Sequence, residues 1–165
     1  MLDRGEVKRT LTRFGRDVQV ASRTNLIGKN ATKKLANSLD FEVDVFKNSF
    51  SFSFFMEKYG EFLDKGVSGT ETKYNTKFAY SNKMPPTSAF DKWSVIRGLA
   101  ERDDKGRFIS RESLKFALAV HKYKHGQKPT LFFTRPFEQY YKELPEELIE
   151  AYGLDAENLM ETTLK

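Results

Sequence analysis

The residues of this chain best suited to bind a metal are its two histidines, His121 and His125. Their i, i+4 spacing places both imidazoles on one helix face, as in a pair of metal ligands. The residues between them read Lys-Tyr-Lys, without the glutamate of an H-E-x-x-H motif, and nearby ammonium groups repel a cation. We therefore expect surface histidines near a helix C-terminus, where the helix dipole favours them, and no metal site.

Other motifs of catalysis and cofactor binding are incomplete. The acidic run at Asp103 and Asp104 lacks the D-x-[DN]-x-[DN]-G spacing of a calcium loop, so it predicts a turn. Gly66 and Gly69 do not match a phosphate-binding loop, and the chain has no cysteine nucleophile. Carboxylates are plentiful, but no pair stands out as an acid and base. We expect no cofactor and no enzymatic activity.

The composition indicates a single globular domain over residues 1–165. The chain has 165 residues, of which 39% are hydrophobic and 31% charged, which excludes a disordered protein. The absence of cysteine excludes a disulfide scaffold and fits a reducing cytosol. No apolar run reaches the length of a membrane span, and we expect no signal peptide and no membrane partner.

Apolar periodicity predicts an α+β fold with a long N-terminal helix, an antiparallel hairpin and further C-terminal helices. The helical stripe comprises Val7, Leu11, Phe14, Val18, Ala21 and Asn25. Residues 39–55 alternate apolar and polar side chains on both sides of Lys47 and Asn48, which predicts a hairpin about 39–55. Its phenylalanines fit a base-stacking platform or a core-facing sheet, and we favour the core.

The middle of the chain predicts a loop flanked by short helices. Residues 57–65 fit a helix with Tyr59, Phe62 and Leu63 inward, and Ser88 fits the cap of a helix bearing Trp93. We expect Tyr59, Phe62 and Trp93 to form core. No periodicity survives from Val67 to Met84, so we expect a loop at about 67–84, mobile until it meets a partner. Ser110 is predicted to cap a further helix. Residues 131–133 are predicted to form a short buried strand or extended piece that Arg135-Pro136 ends.

Charge is unevenly distributed along the chain, whose formal net charge is +5. Residues 1–40 hold nine Lys/Arg against four Asp/Glu, whereas residues 138–165 hold two against eight and form an acidic, helical C-terminal tail. This asymmetry suits nucleic acid as a partner, contact between copies, or simply a solvated surface.

Several short segments follow one another in a set order: T-K-K-L-A-N-S-L (32–39), the hairpin, Y-G-E-F-L-D-K-G-V-S-G-T (59–70) and F-F-T-R-P-F-E (132–138). In this order they resemble the neck or tail-completion (head–tail connector) family of tailed double-stranded DNA phages. M-x-x-Y-G-x-F-x-D-K-G-V-S-G, P-P-x-x-A-F-D-K-W and D-x-K-G-R-F-I-S-R look most like virion proteins of crAss-like phages. The chain departs from the family pattern at Lys33, where glycine is common, and from Glu138 onward.

The resemblance implies a structural virion protein, assembled in the bacterial cytoplasm, that forms a homo-oligomeric ring of about six or twelve copies. Portal or adaptor proteins and tail proteins are the implied neighbours, and DNA passes close by without specific binding. Pro136 and Phe137 would close the fold. Our candidates for the interface between copies lie in the loop: Glu71, Lys73, Tyr74, Lys77 and Tyr80.

The alternative is a nucleic-acid-binding module. Here the basic side chains of the N-terminal helix would contact phosphates or another partner. These side chains are Lys8, Arg9, Arg13, Arg16 and Arg23. The chain carries no recognisable reader motif for nucleic acid, which favours the connector hypothesis.

Overall fold

A computed structural model describes residues 5–28, 32–46, 49–99, 102, 103, 105–151 and 153. The fold is α+β, as predicted, and the chain divides into two compact units. Unit 1 comprises residues 1–57 and 132–165, and unit 2 comprises residues 58–131. Chain length predicts a single domain, and no linker composition marks either of these boundaries in the sequence.

Unit 1 consists of a long helix, a hairpin and C-terminal helices. Its elements are α1 (Gly5–Asn25), α2 (Lys34–Ser38), β1 (Asp40–Val45), β2 (Phe50–Phe55) and a C-terminal helix, Thr134–Tyr141, with residues 144–151 also helical. The hairpin prediction is confirmed: β1 and β2 pair antiparallel, with Val43 opposite Phe52. The predicted turn at Lys47 and Asn48 lies outside the described residues.

The buried stripe of α1 forms the core of unit 1. Val7, Leu11, Phe14 and Val18 are buried as predicted, but the stripe continues at Ser22 rather than Ala21 or Asn25. A four-residue step from Val18 keeps position 22 on the same face. The Phe14 ring lies 5.3 Å from that of Phe52, and the predicted core role is confirmed for Phe52 and Phe54. For Phe50 and Phe55, which are 48% and 50% exposed, the prediction is wrong.

The segment predicted as a short strand at residues 131–133 instead leads into the helix Thr134–Tyr141. Leu131 has φ 50°, which is incompatible with extended strand geometry. Pro136 lies in the first helical turn, where its missing N–H has no partner to lose, so it does not break the helix. It is buried, and the Phe137 ring lies 5.9 Å from Phe14, which confirms that both residues close the core.

Unit 2 contains α3 (Tyr59–Lys65), a 3-10 turn at Thr87–Phe90, α4 (Asp91–Ile96) and α5 (Arg111–His125). Ser110 caps α5 as predicted, accepting from Ser113 N at 3.1 Å, whereas Ser88 lies inside the 3-10 turn and does not cap α4. Thr130 N donates to Leu63 O and Asp64 O, both at 3.1 Å, and Leu131 N donates to Asp64 O at 3.0 Å. These bonds join the first helix of unit 2 to its last residues.

The prediction that Tyr59, Phe62 and Trp93 form core is wrong. Their side chains are 41%, 44% and 39% exposed. Helix α3 buries Gly60 and Asp64, one turn apart, so its larger side chains project elsewhere. The Phe62 ring instead packs edge-on against Phe78 at 4.6 Å, and in α4 the buried position is Ser94.

Candidate functional site

The 67–84 loop lacks helix and strand, as predicted, but its first half is anchored rather than free. Thr70 N donates to Tyr123 O at 2.9 Å, and Glu71 N donates to Lys124 O at 2.9 Å. These carbonyls belong to the last turn of α5, where the helix has no further N–H groups to donate to them. The loop backbone therefore caps the C-terminus of α5, and this hydrogen bonding corrects the expectation of a mobile segment.

Two glycines permit this anchoring. A Cβ atom at Gly69 would lie 2.0 Å from Lys124 O, and one at Gly126 would lie 2.0 Å from Val67 O. Both acceptors are backbone atoms, so no side-chain rotation relieves the overlap. Glycine is required here because the two backbones approach closer than any side chain allows.

Two single bridges and a buried serine complete the anchor. Val67 pairs with Gln127 through two bonds of 2.9 and 2.7 Å, and Ser68 bridges to Ala79 in parallel orientation. The Ser68 side chain is buried, accepts from Tyr74 N at 3.0 Å and donates to Tyr74 O at 3.1 Å. The loop thus folds back on itself around the Ser68 hydroxyl, which both donates and accepts a hydrogen bond.

The charged interface candidates lie on the surface of this anchored loop, but each already has a partner in the chain. Glu71 pairs with Lys124 at 2.9 Å, Lys77 pairs with Glu61 at 3.1 Å, and Lys73 Nζ donates to Gly69 O at 2.8 Å. The Lys124 hydrogen bond lowers the pKa of Glu71 below 4.5, and those from Lys65 and Lys77 lower the pKa of Glu61.

The aromatic interface candidates are half-buried. The Tyr80 ring lies 6.3 Å from that of Tyr123, and burial raises the pKa of the Tyr80 hydroxyl. Tyr123 Oη donates to Ser81 O at 2.6 Å, which fixes the chain just after Tyr80. Tyr74 is half-buried beside Ser68. The structure therefore brings all five candidates onto one loop, with the tyrosines partly inside it.

Of the two histidines, His125 contacts the anchored loop. Their ring centroids are 4.7 Å apart, and His125 Nδ1 lies 3.1 Å from Thr72 Oγ1 in the loop. Among the described residues, no three His, Cys, Asp or Glu side chains cluster as metal ligands. None of the helices in that part of the chain is long and apolar enough to cross a membrane.

On α1, three of the five candidate basic side chains have partners within unit 1. Arg9 bonds to Glu6, Arg13 Nη2 lies 2.7 Å from Glu147, and Arg23 Nη2 donates to Leu39 O at 2.7 Å. Lys8 and Arg16 are exposed and make no ion pair with the described part of the chain. The free positive charge of α1 is therefore smaller than its sequence suggests.

Sequence reasoning missed the exposed apolar side chains of unit 2. Five large side chains from residue 93 onward are more than a third exposed: Trp93, Val95, Ile96, Phe108 and Phe116. Unit 2 also carries much of the positive charge, since residues 58–131 hold fifteen Lys/Arg against eight Asp/Glu. No periodic signal marks these apolar residues, because α4 is too short to show one.

Comparison of the chain with protein-family models, with curated proteins and with solved structures gave no match in any of the three.

Proposed function

We propose that this protein is a structural component of a tailed-phage virion that forms a homo-oligomeric ring in the head–tail connector, around the DNA channel. The observation that carries the proposal is the exposed apolar surface of unit 2. Val95 is 61% exposed, Phe108 65% and Phe116 56%. Interfaces between subunits bury large apolar side chains of this kind, and the exposed ones on unit 2 support assembly with other copies.

The anchored loop supports the same proposal. Its backbone is held by α5, so its exposed groups occupy defined positions and cost less entropy when another copy binds. Glu71, Lys73 and Lys77 present both signs of charge, which suits a contact in which one patch meets a different patch of the next copy.

The proposal is tested on assembly and on virions. We expect sedimentation and electron microscopy of the full chain to show ring-shaped oligomers, and mass spectrometry to detect the chain in purified virions. Changing Val95, Ile96 and Phe116 together to serine should abolish the rings without lowering the helix content. Lys92→Ser, also exposed and on α4, is the matched control and should assemble normally. Absence of the chain from virions contradicts the proposal.

A second candidate, phosphate binding by α1, is favoured by one observation. Lys8 and Arg16 are exposed and form no ion pair with any of the residues that the structure describes. Two phosphate contacts predict a log–log salt dependence of about −1.8 on duplex DNA. Retention of DNA at about 50 mM salt that Lys8→Ala and Arg16→Ala together abolish would support it, and no retention would exclude it.

A further inference from the structure

The two edges of the hairpin are unequally protected against pairing with another strand. Phe46 N donates to Ser49 O at 2.8 Å, so residues 46 and 49 form a hydrogen-bonded pair. Hydrogen-bonded and non-hydrogen-bonded pairs alternate along an antiparallel ladder. The backbone N–H and C=O groups of Phe50, Phe52 and Phe54 therefore point away from β1, along the outer edge of β2.

That outer edge carries none of the features by which proteins discourage strand addition. From Ser49 to Met56 the sequence has no charged residue and no proline. Within the described part of the chain, the sheet has two strands and none pairs with the outer edge of β2. The first and last residues of β2 are also accessible to solvent, since Phe50 is 48% and Phe55 50% exposed.

The outer edge of β1, by contrast, is protected against pairing with a second β1 strand. Asp40, Glu42 and Asp44 line its exposed face, and Phe41 N already donates to Asp40 Oδ1 at 2.9 Å. Two β1 strands placed side by side would oppose carboxylates to carboxylates, which destabilises the pairing. Strand β2 offers serines at the equivalent positions, and within the hairpin Ser51 already lies opposite Asp44.

From this asymmetry we infer that the outer edge of β2 binds the outer edge of β1 of the next copy. The inference rests on the proposed ring, in which successive copies are related by a rotation about the ring axis with no shift along it. With β1 and β2 parallel to that axis, equivalent residues of neighbouring copies lie at the same height. The pairing then repeats the register within the hairpin. Val43 and Val45 of the next copy exchange hydrogen bonds with Phe52 and Phe50, and serine again faces carboxylate.

Because the chain has no cysteine, disulfide trapping tests this pairing directly. Asp44 and Ser51 are both exposed, and between copies they form a non-hydrogen-bonded pair, whose closer Cα atoms suit a disulfide. The Ser51→Cys chain mixed with the Asp44→Cys chain should give mixed disulfide dimers under mild oxidation. Ser51→Cys mixed with Lys92→Cys is the control for random collision and should give few.

A second pair of variants probes the edge without a cross-link. The N–H of Phe50 is not used within the hairpin, and proline is tolerated as the first residue of a strand. Phe50→Pro removes that N–H and should weaken association about tenfold relative to Phe50→Ala, which keeps it. Equal association of the two variants overturns the inference.

The outcomes separate this inference from the proposed ring. Mixed dimers without rings support the strand pairing and contradict the ring. Rings without mixed dimers overturn the pairing and leave the ring intact. Ser51→Cys dimers formed with themselves alone would show β2 pairing with β2, which overturns the inference, and the absence of both rings and cross-links overturns both.

Discussion

Units 1 and 2 bury different kinds of residue. Ten of the twelve buried apolar residues among those described lie in unit 1, and unit 2 contributes only Leu114 and Ala119. Small and polar residues take their place in unit 2, where Gly60, Asp64 and Ser68 are buried. Unit 1 is therefore stabilised mainly by side-chain burial, and unit 2 depends more on backbone hydrogen bonds and close backbone contact.

The largest effect we expect comes from the core of unit 1. Phe14→Ala removes the ring that packs against Phe52 and Phe137 and leaves a cavity, so it should lower the free energy of unfolding by about 3–5 kcal/mol. Urea unfolding measures the change. Val20→Ala, on the exposed face of α1, should change stability by about 0.5 kcal/mol or less. Equal effects would refute the assigned core.

In unit 2 the sensitive position is a glycine. Gly69→Ala forces a Cβ into the Lys124 carbonyl and should cost about 2–3 kcal/mol, with loss of the loop's hydrogen-exchange protection. A Cβ at Gly98 would meet no other atom, so Gly98→Ala should lower the free energy of unfolding by only about 1 kcal/mol, the cost of holding alanine at a φ of 62°. If Gly98→Ala costs as much as Gly69→Ala, the loop is not anchored as described.

Unit 1 also contains a buried polar group whose removal should make the fold more stable. Ser22 is fully buried, and its hydroxyl has no hydrogen-bond partner among the described residues. Ser22→Ala removes an unsatisfied group from a helix and should raise the free energy of unfolding by about 1 kcal/mol. Ser38→Ala should lower it by about as much, because that hydroxyl bonds Leu35 O and Glu57 N.

A smaller gain is expected at Lys33, which precedes α2 with φ 55°. A left-handed backbone disfavours lysine and suits glycine, so Lys33→Gly should stabilise unit 1 by about 1 kcal/mol at most. Lys34→Gly lies inside α2 and should destabilise instead. The same sign for both substitutions would contradict this backbone assignment.

The smallest effect concerns the ion pairs of unit 2. Because the pKa values of Glu61 and Glu71 are lowered in the folded state, their pairing stabilises the fold above pH 4.5, the ordinary pKa, and is lost as pH falls through the lowered values. Urea midpoints should therefore fall between pH 5 and pH 3 by less in Glu71→Gln than in the parent chain. An identical pH dependence would show that Glu71 contributes nothing.

The difference between the units also explains which predictions succeeded. The stripe of α1 and the alternation of β1 and β2 are side-chain patterns, and sequence reasoning identifies such patterns directly. The anchoring of Thr70 and Glu71 is made by backbone atoms, whose partners 53 residues away leave no periodic signal. In α3 the helical pattern predicts Tyr59 and Phe62 inward, but the buried positions are Gly60 and Asp64, a small and a polar residue that give no apolar signal.

The bonds that join Leu63 and Asp64 to Thr130 and Leu131 have a consequence for how this protein can diversify. They hold the two ends of residues 65–129 together, so that segment can change in length or composition without separating the residues that flank it.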